Sequence, residues 1–181
     1  MHIFTEGVPQ TVHDMAALRD FRRERQAELF ARVARLYVPP AALVMFSLVI
    51  PGPIKNNSYL ESLFDAGCAA FSALLCSEGI EACEYCTDRR PAGSTAFWLL
   101  HADAGRIKAF CAGLERTHPL GSLWDFDVFS AFEQKLSAES TGFPPRTCLI
   151  CTEPAKVCAR SRKHSVCELQ EKISALYRAC S

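Results

Sequence analysis

The sequence predicts an α+β domain in which helices cover one antiparallel sheet. Three observations point there. The apolar run over residues 42–50, ALVMFSLVI, barely alternates, so it reads as a strand buried on both faces. Two further strand-like segments, over 80–86 and 95–101, flank a Gly/Pro turn, and another opens after Gly121. Helix-period segments lie between them, so the order is β-α-β-β-α-β. A chain of 181 residues suits one domain spanning 1–181, and neither a repeat nor an interdomain linker interrupts it.

Each element follows from local pattern. Residues 1–13 form an irregular lead-in. A helix is expected over 14–36, where Met15 and Leu18 share a face, as do Leu29, Val33 and Leu36. Its outer surface is expected to carry Arg19, Arg22, Arg23, Arg25, Arg32 and Arg35, offset only by Asp20, Glu24 and Glu28. Such a face is either simply solvated or a docking surface for an acidic partner. Pro39 and Pro40 stop the helix, because proline offers no N–H and restricts the preceding residue. After the strand at 42–50, PGPIKNNS turns the chain into a second helix. Its Leu60, Leu63, Phe64, Phe71, Leu74 and Leu75 recur at helical spacing, and Gly79 stands where a C-terminal cap belongs. The strands over 80–86 and 95–101 are joined by the turn DRRPAGS. Asp103 caps a third helix, in which Ile107, Phe110, Cys111 and Leu114 fall at i, i+3, i+4 and i+7. Residues 130–146 lack strong periodicity and are expected as a loop or weak hairpin. A cysteine-rich segment follows. Ser165 and Glu168 then have capping-box spacing ahead of a closing helix striped by Leu169, Ile173, Leu176 and Tyr177. The order of elements is the split pattern of ferredoxin-like folds, with both crossover helices on one face of the sheet. A nucleotidyltransferase-like α/β arrangement is the alternative.

Composition narrows function. Lys+Arg and Asp+Glu each number 20, so the net charge is zero, which argues against a general nucleic-acid binder. The N-terminal MHIFTEGVPQ lacks the basic-then-apolar pattern of a secretory signal. The longest apolar run, 41–50, falls short of the roughly 20 residues a bilayer requires. The expectation is a soluble cytoplasmic protein whose ten cysteines are reduced thiols or metal ligands.

Three motifs carry candidate chemistry. HPLGSLWDFDVF, residues 118–129, places Asp125 and Asp127 two apart in a strand, so both project to one side while Trp124, Phe126 and Val128 fill the other. Two close carboxylates repel, and either a proton or a cation relieves them. Mg²⁺ takes one or two carboxylates plus phosphate oxygens, so the pair suits metal-assisted phosphoryl or nucleotidyl transfer; taken alone, D-x-D is more often a plain solvent-facing edge. Gly121 and Ser122 resemble a phosphate-holding glycine-serine turn, though the gap to Asp125 is short, and Glu133 is a guess at a third carboxylate. PGPIK sets Lys55 at the start of a helix, as a phosphate ligand or an ordinary solvated residue. Cys148, Cys151, Cys158 and His164 match a Cys₃His zinc site in ligand type, with Cys167 as an alternative fourth ligand; packed thiols are the other reading. Arg146, Arg160 and Arg162 make the same segment basic and suited to phosphates. Cys83 and Cys86, a second C-x2-C, lie in a strand and read as packing.

PGPIK, HPLGSLWDFDV and RTCLICTEPAKVCARSRKHS, together with RRERQ near the start, resemble the holo-acyl-carrier-protein synthases of citrate lyase over nearly the whole chain. The resemblance implies transfer of the phosphoribosyl-dephospho-CoA unit of 2′-(5″-triphosphoribosyl)-3′-dephospho-CoA to a serine of the apo-citrate lyase acyl carrier subunit, releasing diphosphate. Under it, Asp125 and Asp127 hold Mg²⁺ or one acts as base. Lys55, Gly121, Ser122, Arg146, Arg160 and Arg162 meet donor phosphates, and the arginine-rich first helix faces an acidic carrier. Where that family carries Arg after the HPLG glycine, this chain has Ser122. A related transferase for another carrier, or a non-catalytic zinc-binding adaptor, remain the alternatives.

Overall fold

The computed structural model describes residues 2–36, 41–131, 134–137 and 142–180, with the side chains of 34–36 excepted. The fold is mixed α+β, with five α-helices and a five-stranded antiparallel sheet among these residues. The strands are β1 (Ala42–Leu48), β2 (Ala82–Arg90), β3 (Gly93–Leu100), β4 (Trp124–Ser130) and β5 (Lys135–Leu136), in the order β2-β3-β1-β4-β5. The strand expected to be buried on both faces, β1, lies at the centre between β3 and β4.

The sheet separates two apolar layers. On one side Val44 and Phe46 of β1, Trp98 of β3, and Trp124, Phe126 and Val128 of β4 pack against α2 (Ser58–Ser77) and α3 (Ala104–Thr117). Phe46 stacks on Phe126 with ring centroids 4.4 Å apart. On the other side Leu43, Phe97 and Phe129 meet Leu29 and Phe30 of α1 (Val12–Leu36). The first helix therefore covers the sheet face opposite α2 and α3. Each fully buried aromatic or leucine contributes roughly 1.5–3 kcal/mol, so both layers are substantial.

The helix ends follow capping chemistry. Asp14 Oδ2 accepts the Thr11 N–H at 2.8 Å and Thr11 Oγ1 accepts the Asp14 N–H at 3.2 Å, which starts α1 just before the expected position. Asn57 and Asp103 cap α2 and α3 by accepting the N–H groups of Leu60 and Arg106. One helix extends past the sequence expectation, while the closing helix and the weak hairpin meet it. α4 (Ala155–Ser161) forms within the cysteine-rich segment, α5 (Val166–Cys180) closes the chain, and β5 pairs with Val128 and Phe129 as the weak hairpin.

One expectation is corrected. The turn between β2 and β3 narrows to Pro91 and Ala92, because tertiary partners hold the flanking arginines extended. Arg89 pairs with Glu61 and Asp65 of α2, and Arg90 lies 3.9 Å from the centre of the Phe21 ring. In addition, α2 is long and apolar enough, by length and composition alone, to cross a membrane. Its Leu60, Leu63, Phe64 and Phe71 are buried in the main core instead.

Gly121 owes its identity to close packing. A Cβ there would lie 2.4 Å from the Leu114 carbonyl oxygen and 2.6 Å from that of Glu115, both rigid backbone at the end of α3. Its own N–H donates to His118 O at 2.9 Å. Gly121→Ala is expected to lower stability by about 1–3 kcal/mol in urea melts, with an unchanged slope, since the backbone of α3 or β4 must shift.

Candidate active site: a carboxylate pair beside Lys135 and Arg146

β4 is held in place by an unusual pair of side chains. Its Phe126 N–H donates to Glu115 Oε1 at 2.8 Å, and its Phe126 carbonyl accepts from Lys108 Nζ at 2.8 Å. Both partners come from α3, and both are buried. They satisfy the strand edge at the point where β5, which pairs only from Val128 onward, does not reach. Burial pushes the Glu115 carboxyl up, while Arg146 and the Phe126 N–H pull it back down.

With Phe126 fixed and its ring in the core, the flanking carboxylates must point to the α1 face. Asp125 and Asp127 do so, opposite Ser47 and Met45 of β1. Lys135 Nζ sits 2.7 Å from Asp127, whose side chain is 16% exposed. Arg146 Nη1 lies 3.4 Å from Asp125, whose side chain is 45% exposed. Loss of surrounding water and then the charge of Asp127 push the Asp125 carboxyl above its ordinary value, against the pull of Arg146 and Lys135. The pair is thus crowded on one side of the sheet, with Asp125 still open to solvent.

The structure distributes the remaining sequence candidates unevenly. Arg146 joins the carboxylates: its Nη2 also donates to the carbonyls of Ser122 at 3.1 Å and Trp124 at 2.7 Å. Ser122 is exposed and contributes its backbone carbonyl to this contact. Lys55 lies in the loop after β1, its Nζ donating to Ile50 O at 2.5 Å, and lines a cleft beneath α1. Arg160 and Arg162 are exposed on and just after α4 and form no ion pair among the described residues. Glu133 lies outside the described residues.

The helix α1 differs from expectation in a way that matters to the site. Arg22 does not belong to the outer surface: it turns to the sheet, and its Nε donates to Thr95 Oγ1 at 2.8 Å. Arg25 and Arg32 are paired with Glu84 of β2, an acid outside the helix. Spacing could have revealed Arg22 and Arg25, since they fall with Leu18 and Leu29 on one helical stripe at 18, 22, 25 and 29. Lys108, Glu115 and Lys135 carried no comparable signal.

A second constellation stands beside the first. Ligand atoms of Cys148, Cys151, Cys158 and His164 all lie within 4.8 Å of one another, so the four could hold a metal ion. Burial raises the Cys148 thiol, but the N–H groups of Cys151 and Ile150 pointing at it bring it net below the ordinary value. Arg146 joins the two constellations, because its carbonyl accepts the Ala155 N–H at 2.8 Å while its guanidinium reaches Asp125.

Residues 10–180 match the family model described as apo-citrate lyase phosphoribosyl-dephospho-CoA transferase. Relatives bearing that name include one from Escherichia coli O1:K1, 35% identical over 176 residues, covering 97% of this chain and 94% of the relative. Those from E. coli O139:H28 (strain E24377A) and O8 (strain IAI1) are each 34% identical with the same coverage.

The charge crowding sets a pH dependence. A carboxyl whose folded value is raised binds more protons folded than unfolded, so its contribution to stability falls as pH rises from the ordinary value of 3.8 through the folded one. Asp125→Asn is therefore expected to melt higher than the parent at neutral pH and to converge with it below that ordinary value. Carboxyl NMR titration of Asp127→Asn should show Asp125 moving back down; an unmoved Asp125 would mean the two charges do not interact.

Proposed function

The chain belongs to the apo-citrate lyase phosphoribosyl-dephospho-CoA transferase family, and on that premise we propose how it works. It moves the phosphoribosyl-dephospho-CoA unit of 2′-(5″-triphosphoribosyl)-3′-dephospho-CoA onto a serine hydroxyl of the citrate lyase acyl carrier subunit. The observation that carries the site assignment is the crowded, same-side pair Asp125 and Asp127, with Arg146 beside it. The serine oxygen bonds to the α-phosphorus as the bond from that phosphorus to the bridging oxygen breaks, and the electron pair leaves on diphosphate. As the alternative to holding a metal ion, Asp125, which burial and the Asp127 charge push above its ordinary value, takes the hydroxyl proton. Arg146 offers charge-assisted hydrogen bonds to the non-bridging oxygens.

Two carboxylates at i and i+2 on a strand fit Mg²⁺, which keeps its other positions for water and phosphate oxygens. When bound, the ion supplies positive charge against the phosphates. Cys148, Cys151, Cys158 and His164 fit Zn²⁺ as a closed four-ligand site, which gives it a structural role. The antiparallel order with two crossover helices on one face supports the ferredoxin-like reading of the fold. Arg19 and Arg23, exposed on α1, suit an acidic carrier surface.

Mass spectrometry of the apo-carrier after incubation with the donor and this protein should show the added prosthetic group. A folded Asp125→Asn or Asp127→Asn variant is expected to lose roughly 100-fold or more in turnover. Full turnover in either would remove that carboxylate from the chemistry. Elemental analysis of protein purified without chelator should find stoichiometric zinc, lost with a drop in melting temperature in Cys158→Ser; protein without metal would leave the four as packed thiols.

A further inference from the structure

Arg22 and Lys55 share one cleft of about 80 Å³, bounded by Leu48 and Gly93 and lying between α1, α2 and the loop after β1. Neither cation forms an ion pair among the described residues. Arg22 donates through Nε to Thr95 Oγ1, and Lys55 donates to Ile50 O. The nearby acids are committed elsewhere. Glu61 pairs with Arg89, and Asp88 pairs with Arg90. Half-buried cations are ordinarily matched by an anion, because an unmatched one loses hydration without return. Burial accordingly pulls both groups below their ordinary values. The cleft thus presents two directed positive charges with no counter-charge of the protein's own in contact.

The sheet relates this cleft to the carboxylates. Thr95 of β3, Ser47 of β1 and Asp125 of β4 lie in register across adjacent strands. At about 4.8 Å per strand, Thr95 and Asp125 stand roughly 10 Å apart. Ser47 and Thr95, which span this interval, carry small hydroxyl side chains and are both buried, with the Arg22 guanidinium seated on Thr95. Arg22 stands within the field of Asp125 and Asp127 on one side and open to the cleft on the other. The cleft has room for roughly five to eight water-sized volumes, the scale of a phosphate group.

We propose that the Arg22–Lys55 cleft receives the β- and γ-phosphates of the donor and holds the diphosphate as it departs. This rests on the transferase reading above and assigns Arg22 a phosphate-binding role that the outward-facing reading of α1 had hidden. The α-phosphate then lies toward Asp125 and the terminal phosphates toward Arg22. As the bond to the bridging oxygen breaks, its electron pair adds charge to the group that Arg22 and Lys55 contact. Arg22 would strengthen its hold as that charge develops, which favours the transition state over the ground state.

The test is calorimetric binding of inorganic diphosphate, with and without Mg²⁺, to the full chain, with inorganic sulfate as a control for a general anion site. The parent is expected to bind diphosphate in preference to sulfate. Arg22→Gln is expected to bind diphosphate roughly 10- to 100-fold more weakly, with Arg22→Lys intermediate. In turnover, Arg22→Gln should raise the donor KM and weaken product inhibition by diphosphate in parallel, while carrier affinity stays at the parent value. If Arg22→Gln does not fold, Lys55→Gln, which lies outside α1, is expected to show the same loss. Diphosphate binding indifferent to both substitutions, or a carrier KM that moves instead of the donor KM, overturns the proposal. A parent that modifies the carrier but binds diphosphate without Arg22 or Lys55 sinks this inference alone. A parent that binds diphosphate through them but leaves the carrier unmodified keeps the cleft and sinks the transferase reading.

Discussion

The grip of Lys108 and Glu115 on the two faces of the Phe126 peptide is the constraint on which the site depends. A backbone N–H and carbonyl at a sheet edge must find partners, and here two oppositely charged side chains supply them from α3. Each charge also has the other as neighbour, so neither is buried alone. Removing one partner would leave its mate and a backbone group unmatched, a change on the order of 3–5 kcal/mol. The consequence for function is geometric. Once Phe126 is locked with its ring on Phe46, alternation along the strand leaves Asp125 and Asp127 no choice but the opposite face.

That opposite face carries an unbalanced distribution of charge. Two carboxylates crowd the β4 side, with Lys135 and Arg146 as partial counter-ions. Two strands away, Arg22 and Lys55 occupy a cleft without acids of their own in contact. A protein optimised for stability alone would bring these opposite charges together. Asp125 and Thr95, the residue that Arg22 contacts, are held apart by the width of two strands, with Ser47 between them.

Arg146 makes the metal-ligand loop part of this arrangement. Its backbone carbonyl anchors the first turn of α4, which carries Cys158, and its side chain holds the start of β4 and faces Asp125. Ordering the Cys148–His164 loop therefore also fixes the guanidinium beside the carboxylates. A four-residue cluster able to hold a metal ion and the crowded carboxylate pair are thus linked by a single residue.

Much of this was legible in sequence because it follows from local periodicity and capping. The helix of Ile107, Phe110 and Cys111, its Asp103 cap, the double-sided burial of β1, the shared side of Asp125 and Asp127, and the clustering of Cys148, Cys151, Cys158 and His164 all depend on short-range spacing. The same holds for the family, whose motifs are contiguous. What spacing could not supply is which charges meet across the chain. Arg22 and Thr95 are 73 residues apart in sequence, Lys108 and Phe126 are 18, and Arg25 of α1 finds Glu84 on β2. Sequence determined which faces are apolar and which residues carry charge. Only the packing of α1 and α3 on opposite faces of the sheet decided which charges are paired and which are left for a ligand, because Coulomb interactions depend on distance in space and not on separation along the chain.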